Sequence, residues 1–276
     1  MMTQGPPTAV RPADLADYDN PPVNEVVIGI QFEPTTLTGA HIGLFWEDLR
    51  DEFPKALEQP PLEPKIEVLQ PPRFSAPTFP FASFHGSRHW LISADDVQLI
   101  QIQADRLFYN WRRGPHNAPY PHFEALQEKF WSIADNWANF LKEEAQNLRL
   151  TQWEVTYINH ILTLGGQPTL ADALSCWSGQ LDQALGGPAD TGRIEAQKIL
   201  TTNNSPWARM YVSITSAIRP DQVPLIAFEL TVRGAPEGED IWETTHARLF
   251  EARRQIVTAF DTLTTPKMHA EWGKRK

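Results

Sequence analysis

The segment EVVIGIQF, residues 25–32, places an apolar side chain at every second position: Val26, Ile28, Ile30 and Phe32. Because successive side chains of a β-strand point to opposite faces, this period of two predicts a strand with one buried face. The segment EVTYINHI, residues 154–161, begins with the same Glu-Val pair and also predicts a strand. We interpret these two strands as the first elements of two similar halves of the chain.

The elements that follow each opening strand are predicted in the same order. The first half continues with a helix, a short strand KIEVLQ at residues 65–70, a three-strand meander and a long helix over residues 123–145. The second half continues with a helix, three strands and a long helix over residues 241–263. This shared order predicts an internal duplication and an α+β fold, in which two curved antiparallel sheets join edge to edge into a ten-strand saddle with long helices on one face. The order of elements is analogous to that of TATA-binding-protein-like and helix-grip folds.

The chain divides into three parts in this interpretation. Residues 1–22 are rich in Pro, Asp and Thr, which predicts a flexible N-terminal arm. Residues 23–150 and 151–276 are the two α+β units, and we expect them to pack as one globular body.

Composition and charge restrict the classes of function. The 276 residues carry a formal net charge of −10, which disfavours binding to nucleic-acid phosphates and to anionic membrane surfaces. No apolar run approaches the roughly 18 residues that a membrane span requires. The single cysteine, Cys176, cannot form an intrachain disulfide, and we expect it to be buried on a helix. The sequence therefore predicts a cytoplasmic protein that does not bind membranes. Nucleic-acid binding through a TATA-binding-protein-like saddle is a third hypothesis, which the net charge disfavours.

Motifs that carry catalytic chemistry are absent from the sequence. It contains no phosphate-binding glycine loop, no G-x-S-x-G elbow, no H-E-x-x-H pair and no C-x-x-C pair. His85 and His89 come nearest to a metal-ligand pair, but the sequence indicates no third ligand. The sequence therefore predicts no catalytic residue, no cofactor and no metal, which favours a non-enzymatic protein.

The loop RRGPHNAPYPHF, residues 112–123, has the composition of a recognition site. Its candidate residues for binding a partner or a ligand are Arg112, Arg113, His116, Tyr120 and His122. Arg presents a planar fork of donors and Tyr offers a contact with little conformational entropy, on a loop that prolines stiffen. The alternative is a structural crossover whose polar residues bond to the backbone.

A second candidate site is a ligand cavity between the sheet and the long helices. Its candidate residues are Tyr109, Trp111, Arg113, His116 and Tyr157.

The segment TLTTPKMHAEWGK, residues 262–274, predicts a short closing helix. Thr265 is placed to cap it and Pro266 fits the first helical position. Met268 and Trp272 are four residues apart, so they share one helix face and are expected to fold back onto the body as a structural latch, with His269 exposed beside them.

Three segments carry a resemblance to a known family: NPPVNEVVIGIQFEP at 20–34, LIQIQADRLFYNWRR at 99–113 and HARLFEARRQIVTAFDTLTTPKMHAEWG at 246–273. Together they resemble an uncharacterised, sporadically distributed family of prokaryotic proteins of about this length. The resemblance implies no activity, cofactor or catalytic residue. The scattered distribution of the family is typical of accessory genes, such as those of mobile toxin–antitoxin or phage-defence loci.

Two hypotheses of function follow from these observations. The first is a non-enzymatic binding or regulatory protein that engages a protein partner through the concave sheet or the loop 112–123. The second is a small-ligand-binding protein or enzyme that uses the cavity between the sheet and the long helices. Association between copies of the chain, as a homo-oligomer, is left open by both.

Overall fold

The computed structural model describes residues 12–63, 65–69, 86–162, 169–177, 179–187, 189, 191–219 and 221–275. His85 and residues 1–11 of the predicted N-terminal arm lie outside the described residues.

The elements form two blocks, each of which begins with a strand and contains a long helix after its last strand. The first block contains β1 Val23–Phe32, α1 Gly39–Glu47, β2 Lys55–Gln59, β3 Arg88–Ile92, β4 Gln98–Gln103, β5 Arg106–Arg112 and α2 Phe123–Glu143. The second block contains β6 Leu150–Ile161, α3 Leu170–Ala173, α4 Gly179–Leu185, β7 Arg193–Thr202, β8 Ser205–Ile218, β9 Pro224–Gly234, α5 Ile241–Leu263 and α6 Pro266–Glu271.

All nine strands of the described residues form one antiparallel sheet in the order β2-β3-β4-β5-β1-β6-β9-β8-β7. The two opening strands lie side by side in the middle, where Ile28 pairs with Val155. Each opening strand has the last strand of its own block on its other side. The predicted α+β fold with a large antiparallel sheet is therefore confirmed.

The two faces of the sheet differ because apolar and polar residues alternate along the central strands. Helix α2 packs against β1 and β5, and α5 packs against β6 and β9. The core between the helices and the sheet is rich in rings, such as Trp137 and Trp153, which are fully buried. Burying an aromatic ring of this size removes about 150–250 Å² of surface from water, so this layer dominates the stability of the fold.

The predicted strand at residues 65–70 is wrong. Its described residues, 65–69, belong to no strand, and the strand next to β3 is instead Lys55–Gln59. Side chains that project from the sheet bind the backbone of residues 65–69, so the alternating pattern of this segment does not reflect hydrogen bonding to a neighbouring strand.

The N-terminal segment and the C-terminal turn pack against each other. Tyr18 and Lys274 form an isolated antiparallel bridge, and the amide of Asp19 donates to the carbonyl of Gly273 at 3.1 Å. The Tyr18 hydroxyl donates to Asp261 on α5 at 2.6 Å. Of the predicted arm at 1–22, the described residues 12–22 therefore lie against the body.

Helix α6 has the geometry of a closing turn. The Thr265 hydroxyl accepts from the Met268 amide at 3.4 Å, and Pro266 is the first residue of the helix. Met268 and Trp272 are buried, and the Trp272 ring stacks on Phe260 of α5 with 5.3 Å between ring centroids.

Two expectations of exposure are wrong. His269 is half-buried, because its Nε2 bonds to the Thr264 hydroxyl at 2.9 Å rather than facing water. Cys176 is exposed, because α3 ends at Ala173 and the thiol follows in a turn outside the apolar face of that helix.

Candidate functional site

The face of the sheet opposite α2 and α5 carries polar side chains, and we call it the polar face. On this face the strands carry Gln, Asn, Thr and Arg side chains, whereas on the opposite face the same strands carry the side chains of the core. Many of these polar side chains are nonetheless buried, including Gln31, Gln101, Gln103, Arg106, Asn110, Gln152, Glu154, Thr156, Arg209 and Thr231. Buried polar groups require hydrogen-bond partners, so something must cover and satisfy them.

Part of that cover is an irregular segment of the chain, residues 61–63 and 65–69, which we call the strap. It bonds first to β4 and β5 of the first block and then to β6 and β8 of the second. Because β1 lies between β5 and β6, and β1 and β6 belong to different blocks, the strap crosses the junction of the two blocks.

Two glutamine side chains bind the backbone of the strap. The Leu62 amide donates to Oε1 of Gln103 at 2.8 Å, and Nε2 of Gln103 donates to the Leu62 carbonyl at 3.1 Å. In the same way the Glu67 amide donates to Oε1 of Gln152 at 2.8 Å, and Nε2 of Gln152 donates to the Lys65 carbonyl at 2.9 Å. Each carboxamide thus satisfies one donor and one acceptor of the main chain. Such contacts select a backbone conformation without selecting a side chain.

One side chain of the strap is also bound specifically. Nε of Arg209 donates to Oε1 of Glu67 at 2.7 Å, and the Tyr211 hydroxyl donates to Oε2 of Glu67. Nη2 of Arg209 donates to the Val68 carbonyl at 2.8 Å. The side chains of Arg209 and Glu67 are only 6% and 3% exposed, so this ion pair is shielded from water. We call Arg209 and Tyr211 the carboxylate clamp.

The surroundings of the carboxylate clamp are charged and ordered. Arg233 donates to Glu154 at 2.8 Å and lies 5.4 Å from the centre of the Tyr211 ring. Burial raises the pKa of the Tyr211 hydroxyl to about 12, and its bond to the Glu67 carboxylate adds to that rise. Tyr211 therefore remains a neutral donor at physiological pH.

The strap exposes two apolar side chains. Ile66 is 83% exposed and Val68 is 57% exposed, whereas Glu67 between them points into the sheet. At residues 66–68 the strap therefore turns its carboxylate to the protein and its apolar side chains to solvent, which is the reverse of an ordinary surface segment, while Glu63 and Lys65 are exposed.

The loop 112–123 divides between structural and cavity-lining residues. Arg113 donates to the carbonyls of Pro21 and Val23, both at 2.9 Å, so it fastens the N-terminal segment. His116 is exposed at the tip of the loop, and Arg112 ends β5.

Tyr120 and His122 turn towards the gap between the sheet and α5. The Tyr120 hydroxyl bonds to the Tyr157 hydroxyl at 2.8 Å, and its ring lies 5.4 Å from both Trp111 and His122. The structure thus brings together Trp111, Tyr120, His122 and Tyr157.

The other predicted cavity residues and the histidine pair lie elsewhere. Tyr109 is buried in the core, with its hydroxyl bonded to Gln98 at 3.0 Å. His89 lies on β3 on the side of α1, where its ring is 3.4 Å from the place a Cβ of Gly39 would occupy. Among the described residues no three His, Cys, Asp or Glu side chains cluster as metal ligands.

Glu67, Gln103, Gln152, Arg209 and Tyr211 were not identified from the sequence. A weak signal exists in LIQIQ, residues 99–103, where glutamines alternate with isoleucines. A strand that hides its apolar face in the core and repeats carboxamides on the other face is equipped to bind a backbone.

No protein-family model, no curated protein and no solved structure matches this chain. Within the part of the chain that the structure describes, no helix combines the length and apolar character needed to cross a membrane.

Proposed function

We propose that this is a non-enzymatic binding protein whose polar face holds an extended, acidic segment of a protein partner, and that the strap occupies this face in the absence of the partner. The observation that carries the proposal is the pair of glutamine-to-backbone contacts at Gln103 and Gln152, joined by the carboxylate clamp. Together they bind a main chain and one acidic side chain, which are the features of a peptide ligand.

The chemistry of the strap defines the chemistry of the partner. A replacement segment needs an extended backbone for the two glutamines and a Glu or Asp for Arg209 and Tyr211. Leaving Arg209 buried without a carboxylate would cost several kcal/mol, roughly 3–5 by comparison with other buried pairs. The carboxylate clamp therefore discriminates strongly in favour of acidic segments.

A tethered strap also makes the interaction regulable. A segment held on a short linker competes at an effective concentration on the order of millimolar. A partner segment therefore displaces the strap only when its concentration or its affinity for the polar face is high enough to overcome this competition.

The symmetric strand order supports an internal duplication as part of the same proposal. The opening strands β1 and β6 pair at the centre, and β5 and β9 flank them. A saddle of this kind, as in TATA-binding-protein-like folds, has one broad face that a single strap can cross from block to block.

The test uses a fluorescent peptide of the strap sequence, PPLEPKIEVLQ, residues 60–70. Its binding is measured by fluorescence anisotropy to the wild-type protein and to the Glu67→Ala variant, in which the strap has lost its bound side chain. We expect the variant to bind at least ten times more tightly, because its own strap competes less. A peptide in which Gln replaces that Glu should bind more weakly.

Matched arginine variants show where the peptide binds. In the Glu67→Ala background, Arg209→Met removes a buried charge of the carboxylate clamp and should abolish binding. Arg193→Met removes an exposed charge on β7 and should leave binding unchanged. If the Glu67→Ala protein folds but does not bind the peptide, the strap is a fixed part of the fold and the proposal is wrong. A dimer that forms by exchange of straps would show that the occupant is a second copy of the chain.

A further inference from the structure

A small cavity lies on the opposite side of the sheet from the strap. It is enclosed by β6, α5, the N-terminal segment and the end of the loop 112–123, and it measures about 50 Å³. The polar side chains that line it are Asp17, Tyr18, Tyr120, His122, Tyr157, Asn159 and Arg253. The Asp17 carboxylate lies 3.9 Å from the guanidinium of Arg275.

Arg253 is the unusual member of this set. It lies in the middle of α5 and is 3% exposed, yet its Nε and Nη1 have no hydrogen-bond acceptor among the described residues. The nearest carboxylate, Glu124 of α2, keeps 3.6 Å between its Oε1 and Nη2 of Arg253, which is too long for a hydrogen bond. A buried guanidinium with unsatisfied donors is unfavourable unless an acceptor binds to it.

The two tyrosines beside Arg253 add directed donors. Their hydroxyls bond to each other at 2.8 Å, so one of the two hydrogens is free to point to another acceptor. Burial raises the pKa of Tyr157 to about 12, although the positive charge of Arg253 opposes that rise. Both hydroxyls therefore remain protonated and able to donate at neutral pH.

Part of the remaining lining is apolar. Ile256, Val257 and Phe260 follow Arg253 along α5 and line the same cavity. Polar donors together with these apolar side chains suit a ligand with a charged head and a short apolar tail.

From this arrangement we infer that the cavity binds a small organic carboxylate, with its head at Arg253 and the Tyr120–Tyr157 pair. The size supports this class, because 50 Å³ holds more than the 10–15 Å³ that a single water requires, but far less than the roughly 300–1,000 Å³ of a cofactor or drug site. The carboxylates of Glu124, 3.6 Å from Arg253, and of Asp17 in the lining oppose a second negative charge, so the cavity suits a monoanion rather than a phosphate dianion.

The test is isothermal titration calorimetry with acetate, propionate, butyrate and inorganic phosphate. We expect the short-chain acids to bind to the full chain, with affinity rising along the series as the tail covers the α5 residues, and phosphate to bind at least ten-fold more weakly than butyrate. Arg253→Met should weaken butyrate binding by at least 100-fold. Arg254→Met, a change of the same charge at the next position, should leave it unaltered.

Tyr120→Phe keeps the ring and removes one hydroxyl, so it provides a test if Arg253→Met fails to fold. We expect it to weaken butyrate binding about ten-fold. Absence of binding to the wild-type chain, or unchanged affinity in folded Tyr120→Phe, would overturn the inference. The Glu67→Ala variant should bind butyrate like the wild type, because the strap lies on the other face, so this inference and the proposed peptide-binding function can fail separately.

Discussion

Replacing Glu67 by Gln should open the strap while leaving the rest of the fold intact. The change keeps the shape of the side chain and removes its charge. Arg209 on β8 and Arg233 on β9 are cross-strand neighbours. Arg209 forms an ion pair with Glu67, and Arg233 forms one with Glu154. Without the charge of Glu67, two buried guanidinium groups face a single carboxylate.

The magnitude follows from the burial of the pair. Removing one member of a buried ion pair costs about 3–5 kcal/mol, and Glu67 and Arg209 are nearly inaccessible to water. This cost falls on the closed strap alone, because Arg209 becomes hydrated when the strap detaches. At about 1.4 kcal/mol for each factor of ten, the equilibrium population of the open strap should rise roughly 100- to 5,000-fold.

Trypsin provides the assay, because the strap contains a cleavable bond after Lys65 whose carbonyl is bound by Gln152. Under native conditions, with closing faster than cleavage, the cleavage rate follows the population of the open state. We expect cleavage after Lys65, followed by mass spectrometry, to accelerate at least 100-fold in Glu67→Gln. The matched control is Glu63→Gln, in the same strap, whose side chain is exposed. Equal rates in both variants and the wild type would refute the account of the carboxylate clamp.

Three further predictions concern stability and are measured by chemical denaturation. Trp272→Ala should lower the free energy of unfolding by about 3–5 kcal/mol, because it empties the ring contact with α5, and a loss under 1 kcal/mol would contradict a structural role for α6. Gly234→Ala should lower the free energy of unfolding by about 1–3 kcal/mol, since its Cβ would lie 2.6 Å from the Trp207 carbonyl. Gly43→Ala, whose Cβ would meet no atom within 4 Å, should instead stabilise α1 by up to about 1 kcal/mol. A Gly43→Ala protein less stable than Gly234→Ala would contradict both expectations. Because the folded pKa of Tyr157 is about 12 against an ordinary value of 10, the unfolded state loses its proton first, so stability should fall between pH 10 and pH 12; Tyr157→Phe should make that fall shallower, and an unchanged slope would show that Tyr157 does not contribute to it.

The central part of the fold could be predicted from the sequence because its signals are local. Ile28, Ile30 and Phe32 alternate with Gly29 and Gln31, and the same period of two marks β6. The long helices repeat their apolar residues at three- and four-residue steps, which few other structures produce.

The strap could not be distinguished from a strand in the same way. Its alternation is real, since Glu67 points inwards while Ile66 and Val68 point outwards. Whether such a segment pairs with a strand or with side chains depends on Gln103 and Gln152, which are distant in sequence. Carboxamides carry no charge and belong to no catalytic motif, so only their position in the folded sheet shows what they bind.

Two residues of the cavity could be predicted from the sequence, but its arginine could not. Tyr120 and Tyr157 were candidates because they are aromatic residues of the loop 112–123 and of a central strand, whereas Arg253 is one of several arginines in α5. Helical periodicity places Arg253 near the apolar stripe, but only the packing of α2 and β6 around it shows that it is buried.

The bridge between Tyr18 and Lys274 has a consequence for biosynthesis. The ion pair between Asp19 and Arg275 joins residues 256 positions apart, so Asp19 cannot form this contact until Arg275 leaves the ribosome. At about 5–20 residues per second, that interval is on the order of 10–50 seconds. Throughout that time the N-terminal wall of the cavity beside Arg253 lacks its contacts with the C-terminal turn. The first described residues of the chain are therefore among the last to reach their native positions.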